Sequence, residues 1–156
     1  MKSLKVISAF VLSLVMCFSL PFSVLAQSTN VSNTEVQYFE DGSYLVTTTE
    51  DSISLFSSGS KTHTKTSVFY ENDDEKQWSV TLKSSFTYTG SSATCTNASV
   101  SYTIYDSAWK VKEANASKSG RTAKGDFLVK KYFLGIITYT LPITLITTCD
   151  NNGNIT

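Results

Sequence analysis

The chain has 156 residues, with 13 basic side chains balanced by 13 acidic ones and a remainder rich in Ser and Thr. That balance gives no electrostatic reason to expect nucleic acid or an anionic membrane surface as a partner. Among recognisable motifs it contains no glycine-rich phosphate loop, no metal-spaced Cys/His set and no basic stripe.

Residues 1–26 have the pattern of a secretory signal peptide. Lys2 and Lys5 give a short positive region, and Val6 to Leu25 carries no charge. Val24-Leu25-Ala26 places small residues for cleavage between Ala26 and Gln27. An uncleaved anchor is the alternative, because the uncharged run is about as long as a bilayer-spanning helix. Met16 stands before Cys17 where lipidation needs a small residue, so no lipid anchor is expected. Cleavage leaves 156 − 26 = 130 residues, enough for one domain, and no membrane-spanning segment. Without the two lysines the charge is 11 basic against 13 acidic, a net of −2.

Residues 27–34 are polar and aperiodic and read as a flexible mature N-terminus. A single β-sandwich domain is expected over 35–156. Val36–Phe39 and Tyr44–Thr49 flank Asp41-Gly42, a strong hairpin signal because Gly accepts the positive φ of a tight turn. Ile53, Leu55 and Phe56 follow, before a break at Ser57–Ser60. In KTHTKTSVFYEN, His63, Lys65, Ser67 and Phe69 share one face and Thr62, Thr64, Thr66, Val68 and Tyr70 the other. The acidic run Glu71–Glu75 turns the chain into WSVTLKSSFTYTG. There Trp78, Val80, Leu82, Ser84, Phe86 and Tyr88 face one way without a slip. After Gly90-Ser91-Ser92 the pattern resumes, with Ala98, Val100, Tyr102 and Ile104 facing inward. This pair of strands is expected to carry the core.

Trp109 and Val111 point inward on the next strand, which ends in the small polar run Asn115–Gly120. RTAKGDFLVKKYF and IITYTLPITLITTC complete the set. Pro142 cannot donate to a ladder, so the last strand lies at an edge or carries a bulge. No helical stripe follows residue 26. About eight strands with short hairpin loops therefore predict an all-β, antiparallel β-sandwich, immunoglobulin-like or related, after an N-terminal signal helix.

Cys95 and Cys149 remain after cleavage, an even pair in an oxidising compartment, and are expected to form a disulfide. A bridge over that span would stabilise by about 4 kcal/mol in the chain-entropy model. Cys149 falls on the apolar parity of its strand. Cys95 falls on the polar parity of its own, so a bulge or turn near Asn97 is required.

The segments YFEDGSYLVTTTED, SKTHTKTSVFY, WSVTLKSSFTYTGSSATCTNASVS, SAWKVKEANASKSGRTAKGDF and LITTCDNNGNIT resemble, in content, order and spacing, a family of small secreted proteins of Gram-positive bacteria, of the clostridial and lactobacillar type. The resemblance spans nearly all of the chain after residue 26. It implies an extracellular location and a Gram-positive host, and it transfers no catalytic or binding residue. Such a host would also empty the Asn30, Asn97, Asn115 and Asn154 sequons of meaning.

Few residues suggest chemistry. His63, the single histidine, has no nucleophile elbow to serve and reads as an exposed strand residue. Glu71, Asp73, Asp74 and Glu75 read as a solvated turn, and Asp150–Asn154 as a polar strand end, rather than as calcium loops. Tyr105, Trp109 and Tyr132, with Phe133 beside them, are the candidates for an aromatic binding surface that stacks on sugars. The expectation is a secreted, non-catalytic binding module without a cofactor, acting on a cell-wall glycan or an extracellular protein. The alternative is an exported, bacteriocin-like or membrane-active antagonist, since amphipathic period-two strands can also insert into bilayers.

Overall fold

The computed structural model describes residues 30–52 and 58–156. The signal segment, the Ala26–Gln27 junction and the Ile53–Phe56 run lie outside them. Eight antiparallel strands form two sheets. In chain order they are β1 (Asn30–Tyr38), β2 (Tyr44–Ser52), β3 (Gly59–Tyr70), β4 (Lys76–Tyr88), β5 (Ala93–Ile104), β6 (Trp109–Ser119), β7 (Thr122–Phe133) and β8 (Ile136–Thr148). The first five make one sheet in the order β1-β2-β3-β4-β5, and the last three make the other in the order β6-β7-β8. Neighbours follow chain order throughout, so of the immunoglobulin-like and related arrangements this is a related one, without a Greek-key crossover among the described strands.

β1 starts at Asn30, inside the stretch that reads as an aperiodic tail. Pairing with β2 extends it, since Asn30 to Thr34 lie opposite Ser52 to Thr48. A polar sequence becomes a strand here because its neighbour supplies the ladder.

The core joins the sheets around β4. Trp78, Val80, Leu82, Ser84, Phe86 and Tyr88 are all buried, as their alternation requires. Against them lie Ala123, Phe127 and Val129 of β7, Ile143, Leu145 and Cys149, and Trp109 at the start of β6. Ser84, although buried, is satisfied across the core by Thr147 of β8, with the two hydroxyls 3.0 Å apart. Elsewhere hydroxyl pairs between neighbouring strands match the Ser/Thr content: Thr66 with Thr81 at 3.0 Å and Thr62 with Ser85 at 3.2 Å.

Two expectations are corrected, and a third is not met in the structure. His63 is 1% exposed, not a surface residue. It shares its face with Lys61, Ser67 and Phe69, which are all buried, and with half-buried Lys65, so this face of β3 points inward. Tyr102 is 51% exposed. Its parity is that of Val80 opposite, but it sits on the edge strand β5, where less of the face is covered. The Cys95–Cys149 bridge is not formed in the structure; both residues are buried thiols. Cys95 Sγ donates to Asn97 O at 3.3 Å and Cys149 Sγ to Asp150 O at 3.4 Å, each within its own segment. The bulge that Cys95 needs is present: Ser85 pairs with Asn97 but Phe86 pairs with Cys95, leaving Thr96 extra. Pro142 is exposed on β8, an edge strand.

After β8 the chain turns back at Asp150 and pairs again, Cys149 with Ile155. The returning segment covers the far end of the core. Gly153 lies so close to the Tyr88 ring that a Cβ there would fall 2.5 Å from its Cζ. Lys61 Nζ, buried, donates to Gly153 O at 3.0 Å.

Candidate functional site

A cleft of about 290 Å³ opens at one end of the sandwich, between the β1–β2 turn and the β3 end on one side and β6, β7 and β8 on the other. Its apolar wall is aromatic. Phe69 and Tyr139 reach it from β3 and β8, and Trp109 from β6. Behind them the rings form one cluster. Phe69 stacks on Trp78 at 5.1 Å between centroids, and Trp109 meets Phe69 edge-on at 5.2 Å and Tyr139 at 5.9 Å. Trp109 is fixed by its strand start: its N–H donates to Asp106 O at 3.1 Å, and Tyr132 N–H donates to Ala108 O at 2.8 Å. The buried Nε1 of Trp109 has no protein hydrogen-bond partner.

The polar rim holds Asp41, Ser43, Glu71, Asn72, Lys131 and Thr138. Ser43 donates to Asp41 Oδ1 twice, from its N–H at 3.0 Å and its hydroxyl at 2.5 Å. These bonds hold the Asp41 carboxyl below the usual aspartate value of 3.8. Lys131 forms an ion pair with Glu71 and lies 5.6 Å above the Trp109 ring. Burial, and then the Asp41 charge, push the Tyr139 hydroxyl above its ordinary 10.0. The cleft therefore offers the half-buried Tyr139 ring over a floor of buried Phe69 and Trp109, an ionised acceptor at Asp41 and the Glu71–Lys131 pair.

The three aromatics singled out in the sequence do not converge. Trp109 enters the cleft. Tyr132 lies under Lys110 and Lys112, whose Nζ atoms are 5.3 and 5.5 Å from its ring centre. Tyr105 is 53% exposed, with its hydroxyl 3.4 Å from Ser79 Oγ. Phe69, Tyr139, Asp41 and Ser43 take the places beside Trp109. The Asp41-Gly42 hairpin signal pointed to a turn, not to a site. Parity would have grouped Phe69 with the inward row of β3, but nothing local marks Tyr139.

The acidic segments are turns held by their own groups. Asp74 has a φ of 63° and accepts the Tyr44 hydroxyl at 2.9 Å, which pushes the Tyr44 pKa up to about 12. Asp150 accepts from the N–H groups of Asn152 and Asn154, both at 2.8 Å, and from Asn154 Nδ2 at 2.7 Å. Its carboxyl is held below 3.8, mainly by Asn154. Among the described residues no group of three His, Cys, Asp or Glu side chains is placed to hold a metal ion.

No protein-family model and no curated protein matches the chain. Among solved structures it is similar to a hypothetical protein from Listeria monocytogenes EGD-e, at 18% identity with a TM-score of 0.39, over 76% of this chain and 88% of that one.

Proposed function

We propose that this protein is a non-catalytic binding module whose cleft takes a small polar ligand of sugar size, with a cell-wall glycan as the partner. One observation carries this reading: Trp109, Phe69 and Tyr139 line a cleft of about 290 Å³ whose rim presents Asp41 and the Glu71–Lys131 pair. Sugars stack their C–H faces on aromatic rings and give their hydroxyls to carboxylates. Catalysis on a glycan asks for two carboxyl groups with pKa values pushed apart, one of them upward. Asp41 is displaced downward, which suits an acceptor. Calorimetric titration with soluble peptidoglycan fragments and neutral oligosaccharides tests the reading. Binding should weaken at least tenfold in Tyr139→Ala and Asp41→Ala. Silence toward every sugar class would sink it.

We also infer export from a Gram-positive cell. Lys2, Lys5, the uncharged Val6–Leu25 run and Ala26 support a cleaved signal, and the family resemblance supports the host. Outside the cell the two thiols would meet an oxidising compartment. The backbone holds them at one turn: Cys95 N–H donates to Gly120 O at 2.8 Å and Cys149 N–H to Arg121 O at 3.0 Å. Exchange with a disulfide donor would join the sulfurs while the donor takes their two protons and two electrons. The intact mass of the secreted protein checks both inferences. A mass starting at Gln27 and short of two hydrogens is expected; two alkylatable thiols would dismiss the bridge.

A further inference from the structure

The β7–β8 hairpin projects an apolar tip that the core does not use. Leu134 is 87% exposed, Ile136 70%, Phe133 68% and Ile137 47%. They are contiguous, whereas single exposed apolar residues are ordinary on any surface. The tip is also preformed. Leu134 and Gly135 both have positive φ, 50° and 83°, and the ladder continues to Phe133 opposite Ile136. Cross-strand partners point the same way, so Phe133 and Ile136 occupy one face of the hairpin and Tyr132 and Ile137 the other. Apolar groups thus surround the tip. A groove in a protein covers one face of a hairpin, whereas a fluid apolar medium covers all of them.

A basic collar stands behind the tip. Lys110 and Lys112 lie over the Tyr132 ring, and Lys130 pairs with Lys110 across the ladder. Among the described residues none of these three lysines has an ion pair, while Lys131 is engaged by Glu71. The acidic β3–β4 turn stands beside this collar, but its charges are engaged locally: Glu71 by Lys131, and Asp74 by the Tyr44 hydroxyl.

We propose that the β7–β8 tip seats in the interface of an anionic lipid bilayer. Phe133, Leu134 and Ile136 enter the upper acyl region, and Tyr132, Lys110, Lys112 and Lys130 meet the headgroup phosphates. Two residue steps separate Tyr132 from Leu134; at about 3.4 Å each they span roughly 7 Å, within the depth of roughly 5–10 Å that interfacial segments reach. The paired hairpin backbone brings few unsatisfied polar groups with it. This is docking by one tip, without a spanning strand, and it does not depend on the cleft.

Co-sedimentation with vesicles tests the proposal, using the protein without residues 1–26, which retains every described strand. The protein should pellet with vesicles of phosphatidylglycerol and phosphatidylcholine, and at least tenfold less with phosphatidylcholine alone. The double variant Leu134→Ser, Ile136→Ser should lose binding at least tenfold while keeping its thermal midpoint and any sugar affinity of the cleft. Lys110→Gln with Lys112→Gln should weaken binding to the anionic vesicles alone. A wild-type protein left in the supernatant overturns the proposal, as does equal pelleting of the tip variant or with both lipid mixtures. A dimer in size exclusion that the tip variant converts to monomer also overturns it, since a second copy would then cover the tip.

Discussion

Two turns at the same end of the molecule make an instructive pair. The β1–β2 connection holds Asp41-Gly42 and the β7–β8 connection Leu134-Gly135, and both glycines have a φ of 83°. The first turn bends inward chemically. Phe39 N–H donates to Ser43 O at 2.9 Å, Asp41 secures Ser43, and both Asp41 and Ser43 join the cleft rim. The second presents Phe133, Leu134 and Ile136 to the outside. A glycine fixes the backbone of a hairpin, and its neighbours decide what the hairpin can touch. One polar turn lines a cleft; one apolar turn faces outward.

The contrast can be broken from its base. Phe69→Ala should destabilise by about 3–5 kcal/mol in urea titration, because the ring is both core and cleft wall. A loss under about 1 kcal/mol would mean that the cleft wall is independent of the core. Gly42→Ala and Gly135→Ala should each cost about 1–2 kcal/mol, since both demand positive φ. A Cβ at Gly135 meets nothing within 4 Å, and one at Gly42 meets Asn72 Cβ at 3.4 Å, so similar losses would show that the backbone alone sets both turns. Leu134→Asn should change stability by less than about 0.5 kcal/mol, because Asn tolerates that backbone and Leu134 packs on little; thermal melting checks it. A large loss would show that the tip supports the fold.

The smallest effect concerns Asp41. Its folded pKa is depressed, so its contribution to stability is present above the unfolded value and is lost as pH falls through the folded one. In Ser43→Ala the carboxyl should titrate closer to 3.8 by NMR, narrowing that window. An unchanged midpoint would remove Ser43 from the rim's electrostatics.

The strand pattern was legible wherever a strand packs along its whole length. The inward row from Trp78 to Tyr88 is buried without a gap, although Gln77 and Ser79 of the other face are buried as well. Even an irregularity could be read, because the conflict between Cys95 and the Ala98–Ile104 parity called for a bulge or turn near Asn97, and the structure places a bulge at Thr96. Parity says which way a side chain points, not whether a second sheet lies there; Tyr102 shows the difference. The cleft was not legible, because Asp41, Phe69, Trp109 and Tyr139 come from four separate stretches without a shared motif. Nor was the tip, since an apolar residue in sequence looks the same whether it faces a core or water.

The returning segment around Gly153 has a consequence for the order of events. Lys61 and Gly153 are 92 positions apart, so this contact closes one of the longest loops in the fold. A chain made from its N-terminus carries Tyr88 uncovered until Gly153 has been synthesised. The β4–β5 hairpin can form before then, but its last large ring must wait. The far end of the sandwich therefore closes late, after the strands it covers have been made.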